Sequence, residues 1–83
     1  MKVVIQEVLK SGDEPKYHIY MLIDGVKHVG SLIRDRESKV WVFDRDFYKA
    51  LKASPGAPRR VSSIIGKMDK GKDFIFPIDL GDI

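Results

Sequence analysis

Apolar and polar residues alternate with a period of two over the first part of the chain and with a longer period after residue 44. A period of two is typical of strands, whereas apolar residues spaced three and four apart are typical of helices. The chain therefore begins with strands, which polar turn-forming residues separate. We expect these strands over Lys2–Lys10, Tyr17–Ile23, Val26–Arg34 and Lys39–Phe43.

Two helices are predicted after the fourth strand. Asp44 or Asp46 is suited to cap a short helix that runs through Ala53 and carries Phe47 and Leu51 on one face. A second helical stripe follows, with a start near residue 58 and an end near residue 71. Because this stretch contains a glycine and several β-branched residues, a strand with a loop is the alternative. The stripe consists of Val61, Ile64, Ile65 and Met68.

The C-terminal segment alternates again. Apolar residues at Phe74, Phe76, Ile78 and Leu80 predict a final strand, and Pro77 places it at a sheet edge because proline has no N–H for the ladder. The predicted fold class is α+β, an antiparallel four-stranded meander followed by one or two short helices and a C-terminal edge strand.

The dipeptide Asp24-Gly25 predicts a two-residue hairpin turn, which pairs Ile23 with Val26. Residues that oppose each other across a pair of strands share a face, so this register assigns side chains to two faces. We expect the first face to form the core, under one or both helices. It holds Tyr17, Ile19, Met21, His28, Gly30, Leu32, Trp41 and Phe43.

The position of the fourth strand depends on the loop before it. A four-residue loop over 35–38 would pair Leu32 with Trp41 and Gly30 with Phe43. Gly30 would then leave room between Ile19 and the Phe43 ring.

The second face is unusually apolar for an antiparallel sheet, whose solvent side is normally polar. Six of its nine residues are apolar or aromatic; the nine are His18, Tyr20, Leu22, Lys27, Val29, Ser31, Ile33, Val40 and Val42. Cover by residues 61–68 is one explanation. The other is an interface with a protein partner or a homodimer, in which Tyr20, Val29 and Val42 would be central.

Length and composition describe one small domain over residues 1–83, with 43% hydrophobic and 33% charged residues. The chain has no cysteine, which excludes disulfides and thiolate metal sites. A disulfide-free domain of this size favours a reducing compartment, so we expect a cytoplasmic protein. No apolar run approaches the ~18 residues that would span a membrane, so no membrane association is expected.

Residues suited to catalysis are sparse. His18 and His28, the two imidazoles, point to opposite faces in the predicted register, and Asp44 with Asp46 is better explained by helix capping than by a metal site. We therefore expect no enzyme activity, no cofactor and no metal.

The net charge of +3 has a local source. The segment 49–72 carries seven cations against Asp69 alone, whereas acids outnumber bases in residues 73–83. The cations are Lys49, Lys52, Arg59, Arg60, Lys67, Lys70 and Lys72.

Two binding functions follow from these observations. In one, the basic segment contacts the backbone of DNA or RNA, as clustered Lys and Arg side chains can. In the alternative, the semi-apolar sheet face binds a protein or a second copy. Pairing of Arg59 and Arg60 with Asp79 or Asp82 would neutralise the basic segment within the fold.

Overall fold

The computed structural model describes all residues from 1 to 83 and contains five strands and two helices. In chain order they are β1 (Lys2–Lys10), β2 (Lys16–Ile23), β3 (Val26–Arg34), β4 (Trp41–Phe43), α1 (Arg45–Leu51), α2 (Gly56–Asp69) and β5 (Ile78–Asp82). The strands form one antiparallel sheet in the order β4-β3-β2-β1-β5. The α+β prediction is confirmed, with β5 beside β1 and both β4 and β5 at edges.

The turn between β2 and β3 is the predicted two-residue hairpin. Asp24 and Gly25 have φ angles of 49° and 80°, and Ile23 lies opposite Val26. All eight residues of β2 pair with β3 without a shift. The assignment of His18 and His28 to opposite faces is therefore confirmed.

The predicted register between β3 and β4 is wrong by two residues. Trp41 lies opposite Arg34, and Phe43 lies opposite Leu32. The loop is longer because the Asp35 carboxylate accepts hydrogen bonds from both the backbone and the hydroxyl of Ser38, which lowers the pKa of Asp35. Lys39 then adopts a φ of 62°. Since the error is an even number of residues, each β4 side chain keeps its predicted face.

A bulge in β1 changes which of its residues face the core. Ile5 lies opposite Met21, yet Glu7 lies opposite Tyr20, so Gln6 is an extra residue in β1. The bulge explains why the core-facing residues of β1 are Val3, Ile5 and Val8, with a three-residue step after the first two.

The final strand is shorter than predicted. It begins at Ile78, after Pro77, and residues 74–77 lie outside the sheet. The missing N–H of proline cannot join the ladder, which fits a strand that starts immediately after it. Asp82 accepts a hydrogen bond from the amino group of Met1, and this contact links β5 to the start of β1.

Both helices form where the apolar spacing predicts them, but α1 ends at Leu51, before the predicted Ala53, and α2 begins at Gly56, before the predicted start near residue 58. The Asp44 side chain caps α1 by accepting a hydrogen bond from the Phe47 N–H at 3.0 Å, and it also accepts one from the Ser31 N–H at 2.7 Å. Phe47 and Leu51 are buried on one face of α1, and the predicted stripe of α2 is buried or half-buried. The alternative of a strand with a loop over residues 59–70 is wrong.

Both helices pack on the same side of the sheet. The core combines alternate residues of the sheet with the apolar faces of α1 and α2. Its members are Val3, Ile5, Tyr17, Ile19, Met21, Ile23, Leu32, Phe47, Leu51, Ala57, Val61, Ile65 and Leu80. The expectation that residues 61–68 cover the second sheet face is therefore wrong, because Val61 and Ile65 are buried against the first. Trp41 lies on the predicted core face but is half-buried, since β4 is an edge strand.

Gly30 admits the ring of Phe47 to the sheet surface. A Cβ atom at residue 30 would overlap three atoms of that ring. The space was predicted for Phe43, but the register shift moves Phe43 opposite Leu32, and α1 fills the space instead. The Phe47 ring thus holds α1 directly on the β3 backbone.

The end of α2 is held by a polar contact. The Tyr17 hydroxyl donates a hydrogen bond to Asp69 at 3.1 Å, and the Arg34 guanidinium lies 3.4 Å from the other carboxylate oxygen. Tyr17 also packs edge-to-face on Trp41. The pKa of Tyr17 is raised, mainly because its hydroxyl is buried and also because that hydroxyl donates a hydrogen bond to the Asp69 carboxylate.

Gly30→Ala should destabilise the fold by roughly 1–3 kcal/mol, because the added methyl must displace the Phe47 ring. Gly56→Ala is the matched control, since a Cβ there meets open space and the glycine does not have positive φ. Chemical denaturation measures both variants. Equal stability of the two would contradict the contact between Gly30 and Phe47.

The Tyr17 hydroxyl should make stability depend on pH in the alkaline range. Because the native state binds this proton more tightly, its contribution is complete below the ordinary tyrosine pKa of about 10 and is lost as pH rises through the higher folded value. Tyr17→Phe should remove this part of the pH dependence, while Tyr48→Phe, an exposed control, should retain it. Denaturation midpoints measured across this range test the difference; an unchanged alkaline slope in Tyr17→Phe would refute it.

Candidate interaction surfaces

The uncovered side of the sheet, here called the open face, carries the predicted interface residues. Tyr20 lies directly opposite Val29, and Val42 lies opposite Ile33. These side chains are exposed by 36%, 63%, 55% and 45% in that order. The predicted register also assigned Ile33 to this face, but Ile33 was not among the residues predicted to be central. Because its side chain is exposed, we include it in the candidate interface.

Charged side chains flank these apolar residues. Lys16 is paired with Ile33 and Lys27 with Leu22, while Glu7 is paired with Tyr20 and Asp79 with Val4. Opposed residues share a face, so these four charges and the paired Lys2 and Asp82 give the open face three cations and three carboxylates around its apolar part. Its formal charge is therefore balanced.

The basic segment does not form one continuous surface in the fold. Arg59, Arg60 and Lys67 line a shallow depression of about 320 Å³ on the outer side of α2, together with Ser63 and Ile64. We call this surface the α2 basic face. It contains no carboxylate, and none of its cations forms an ion pair.

The remaining predicted cations lie elsewhere. Lys49 and Lys52 extend from α1 into a groove beside β4. Lys70 follows the last turn of α2, and the Lys72 ammonium lies 5.3 Å from the centre of the Phe74 ring. All seven predicted cations are exposed. The expected alternative, pairing of the arginines with Asp79 or Asp82, is wrong, because Asp82 binds the Met1 amino group and Asp79 accepts from the Gly81 N–H.

The groove beside β4, here called the β4 groove, was not predicted. It is open, has a volume of about 460 Å³, and lies between the outer edge of β4 and one side of α1. Its third cation, Arg45, lies outside the basic segment. Arg45 was missed because Asp44 and Asp46 flank it and cancel its charge in any local count. The lining residues are Trp41, Val42, Phe43, Arg45, Tyr48, Lys49 and Lys52.

The acidic side chains and the imidazoles are not gathered at one place. No group of three or more His, Asp or Glu side chains is placed to hold a metal ion. Asp44, which the sequence pairs with Asp46, uses both carboxylate oxygens to accept backbone hydrogen bonds. Asp44 thus acts in helix capping and in holding α1 to β3.

Comparison with known proteins adds no assignment. No protein-family model matches the chain, and no curated protein matches it at a significant level. Neither helix is both long and apolar enough to cross a membrane.

Proposed function

We propose that the protein is a non-enzymatic binding module that recognises protein through its open face, and that the occupant is a second copy of the chain. One observation carries the proposal: both helices pack on the opposite side of the sheet, which leaves the apolar side chains of the open face without cover. Tyr20 pairs with Val29 and Ile33 pairs with Val42, and the His18 and Ser31 pair lies between these two apolar pairs on the same face. Large exposed apolar patches on soluble proteins generally mark interaction sites.

The charges of the open face favour a second copy over a strongly charged partner. With three cations set against three carboxylates, the face has no formal charge of its own. Two such faces related by a two-fold axis bring together the same patch from each subunit, as in most small homodimers. Cations of one copy can then approach carboxylates of the other at the rim.

The size of the face is also adequate. Five strands spaced about 4.8 Å apart, with eight or nine residues in each of the three longest, give a sheet of roughly 20 by 30 Å. A surface of this extent is comparable with the roughly 800 Å² that each partner buries in a stable interface. Face-to-face packing would give a dimer with two sheets inside and the helices outside.

Val29→Glu should convert a dimer into a monomer. A carboxylate buried without a partner costs several kcal/mol, so the dissociation constant should rise by about a hundredfold or more. Ile75→Glu is the matched control, because Ile75 is 92% exposed in the segment before β5 and lies off the sheet. Sedimentation velocity over a range of concentrations measures both. A wild-type chain that stays monomeric at high concentration would count against the proposal.

A second candidate function is contact with a nucleic-acid backbone, and the α2 basic face favours it. Arg59, Arg60 and Lys67 converge there with no carboxylate nearby, while the Ser62 hydroxyl is occupied by a hydrogen bond to the Arg59 carbonyl. Three free cations on one helix face can each neutralise a phosphate. This surface lies on the helix side of the domain, so it would stay accessible in a dimer formed through the open face.

Replacing Arg59 and Arg60 by alanine should weaken oligonucleotide binding and lower its logarithmic salt slope by about two units, one for each lost phosphate contact. Folding should be unaffected because both side chains are exposed. Arg36→Ala, an exposed cation in the loop after β3, is the control. Titration of duplex and single-stranded oligonucleotides at low salt measures the effect. Absence of binding at about tens of micromolar protein would rule the function out.

A further inference from the structure

The outer edge of β4 has unpaired backbone groups. β4 is the first strand of the sheet and pairs with β3 alone. On either side of it, the Asp35 N–H bonds the Val40 carbonyl and the Asp44 N–H bonds the Ser31 carbonyl, both at 2.9 Å. In an antiparallel ladder alternate residues bond the neighbouring strand. The backbone N–H and C=O groups of residues 40, 42 and 44 therefore point toward β3. Those of Trp41 and Phe43 point outward, away from the sheet.

The cations of the β4 groove follow this free edge. Arg45, Lys49 and Lys52 are spaced four and three residues apart, which places them along one side of α1. All three are exposed, none forms an ion pair, and no carboxylate lines the groove. They extend over about 10 Å of helix, the length of roughly three residues of extended chain.

Aromatic side chains form the base of the β4 groove. The Phe43 ring packs against Phe47 and Tyr48 at centroid distances of 6.1 and 5.7 Å, and Trp41 packs against Tyr17. The outward N–H and C=O groups of Trp41 and Phe43 match the hydrogen-bonding groups of a peptide backbone. The groove therefore favours an extended peptide.

We propose that the β4 groove binds an extended acidic segment of a partner protein, which adds to the sheet as a strand beside β4. The outward groups of Trp41 and Phe43 bond the backbone of the segment. Side chains of an added strand alternate between faces. Those on the helix side are acidic and meet Arg45, Lys49 and Lys52, and those on the other side are apolar and lie beside Val42.

The probe that tests this proposal is a blocked peptide of alternating glutamate and valine. Trp41 is the single tryptophan and lines the groove, so its fluorescence reports occupancy without a label. We expect a saturable change that weakens with added salt, because the cations are exposed. The same peptide with lysine in place of glutamate should not bind.

Two variants and one modified peptide decide the mechanism. Lys49→Glu should weaken peptide binding roughly tenfold or more, since it reverses the central charge of the groove. Lys67→Glu, the matched control on α2, should not. Should Lys49→Glu fail to fold, Lys49→Gln with Lys52→Gln tests the same charges. Methylation of the peptide's backbone nitrogens should abolish binding, because a methylated amide cannot donate to the sheet edge.

Three outcomes would overturn the proposal. The first is that the methylated peptide binds as tightly as the unmethylated one. The second is an equal loss of peptide affinity in the Lys49 and Lys67 variants. The third is a change in Trp41 fluorescence with single-stranded oligonucleotide but not with the acidic peptide. Repeating the titration with Val29→Glu separates the groove from the open face. Unchanged binding by that variant supports a site within one chain, and lost binding refutes it.

Discussion

The packing of the Phe47 ring on the backbone of Gly30 determines how the helices cover the sheet. The absence of a side chain at residue 30 allows α1 to approach β3 closely, and Asp44 fixes the start of the helix by bonding both α1 and β3. The short connection from α1 then keeps α2 on the same side, where Asp69 is held by Tyr17 and Arg34. Because both helices pack on one side of the sheet, no helix covers the open face.

This one-sided arrangement separates two kinds of chemistry. The open face is apolar with balanced charges, whereas the helix side carries the free cations of the α2 basic face and the β4 groove. Apolar association is insensitive to moderate salt, while contact with phosphates or carboxylates weakens as salt is added. The proposed functions can therefore be distinguished by ionic strength. The α2 basic face would stay accessible in a dimer joined through its sheets, because the helices would lie outside, whereas Val42 belongs to both the open face and the β4 groove.

Much of the fold could be predicted from local rules. Asp24-Gly25 determines the register of β2 and β3, and this register assigns Tyr20, Val29 and Ile33 to the open face. The loop before β4 could not be predicted in the same way, since its length depends on the bonds of Asp35 and on the positive φ of Lys39. The apolar stripe of α2 indicated a buried helix face but carried no information on which side of the sheet would bury it.

The interaction surfaces were predictable to different degrees. The open face follows from strand alternation alone, whereas the grouping of cations depends on tertiary structure. A count of charges along the chain joined Lys49 to Lys72, although the fold places Lys49 in the β4 groove. The same count overlooked Arg45, whose neighbours in sequence are acidic but whose neighbours in space are Lys49 and an unpaired strand edge.

The central claim is that the open face joins two copies of the chain, and isotope-filtered NMR tests it most directly. In an equal mixture of labelled and unlabelled protein, only contacts between copies give filtered NOE signals. The account predicts such signals from the methyl groups of Val29, Ile33 and Val42, with none from Val61 or Ile65 in the core. Signals confined to the helix side, or no intermolecular signal at high concentration, would contradict it.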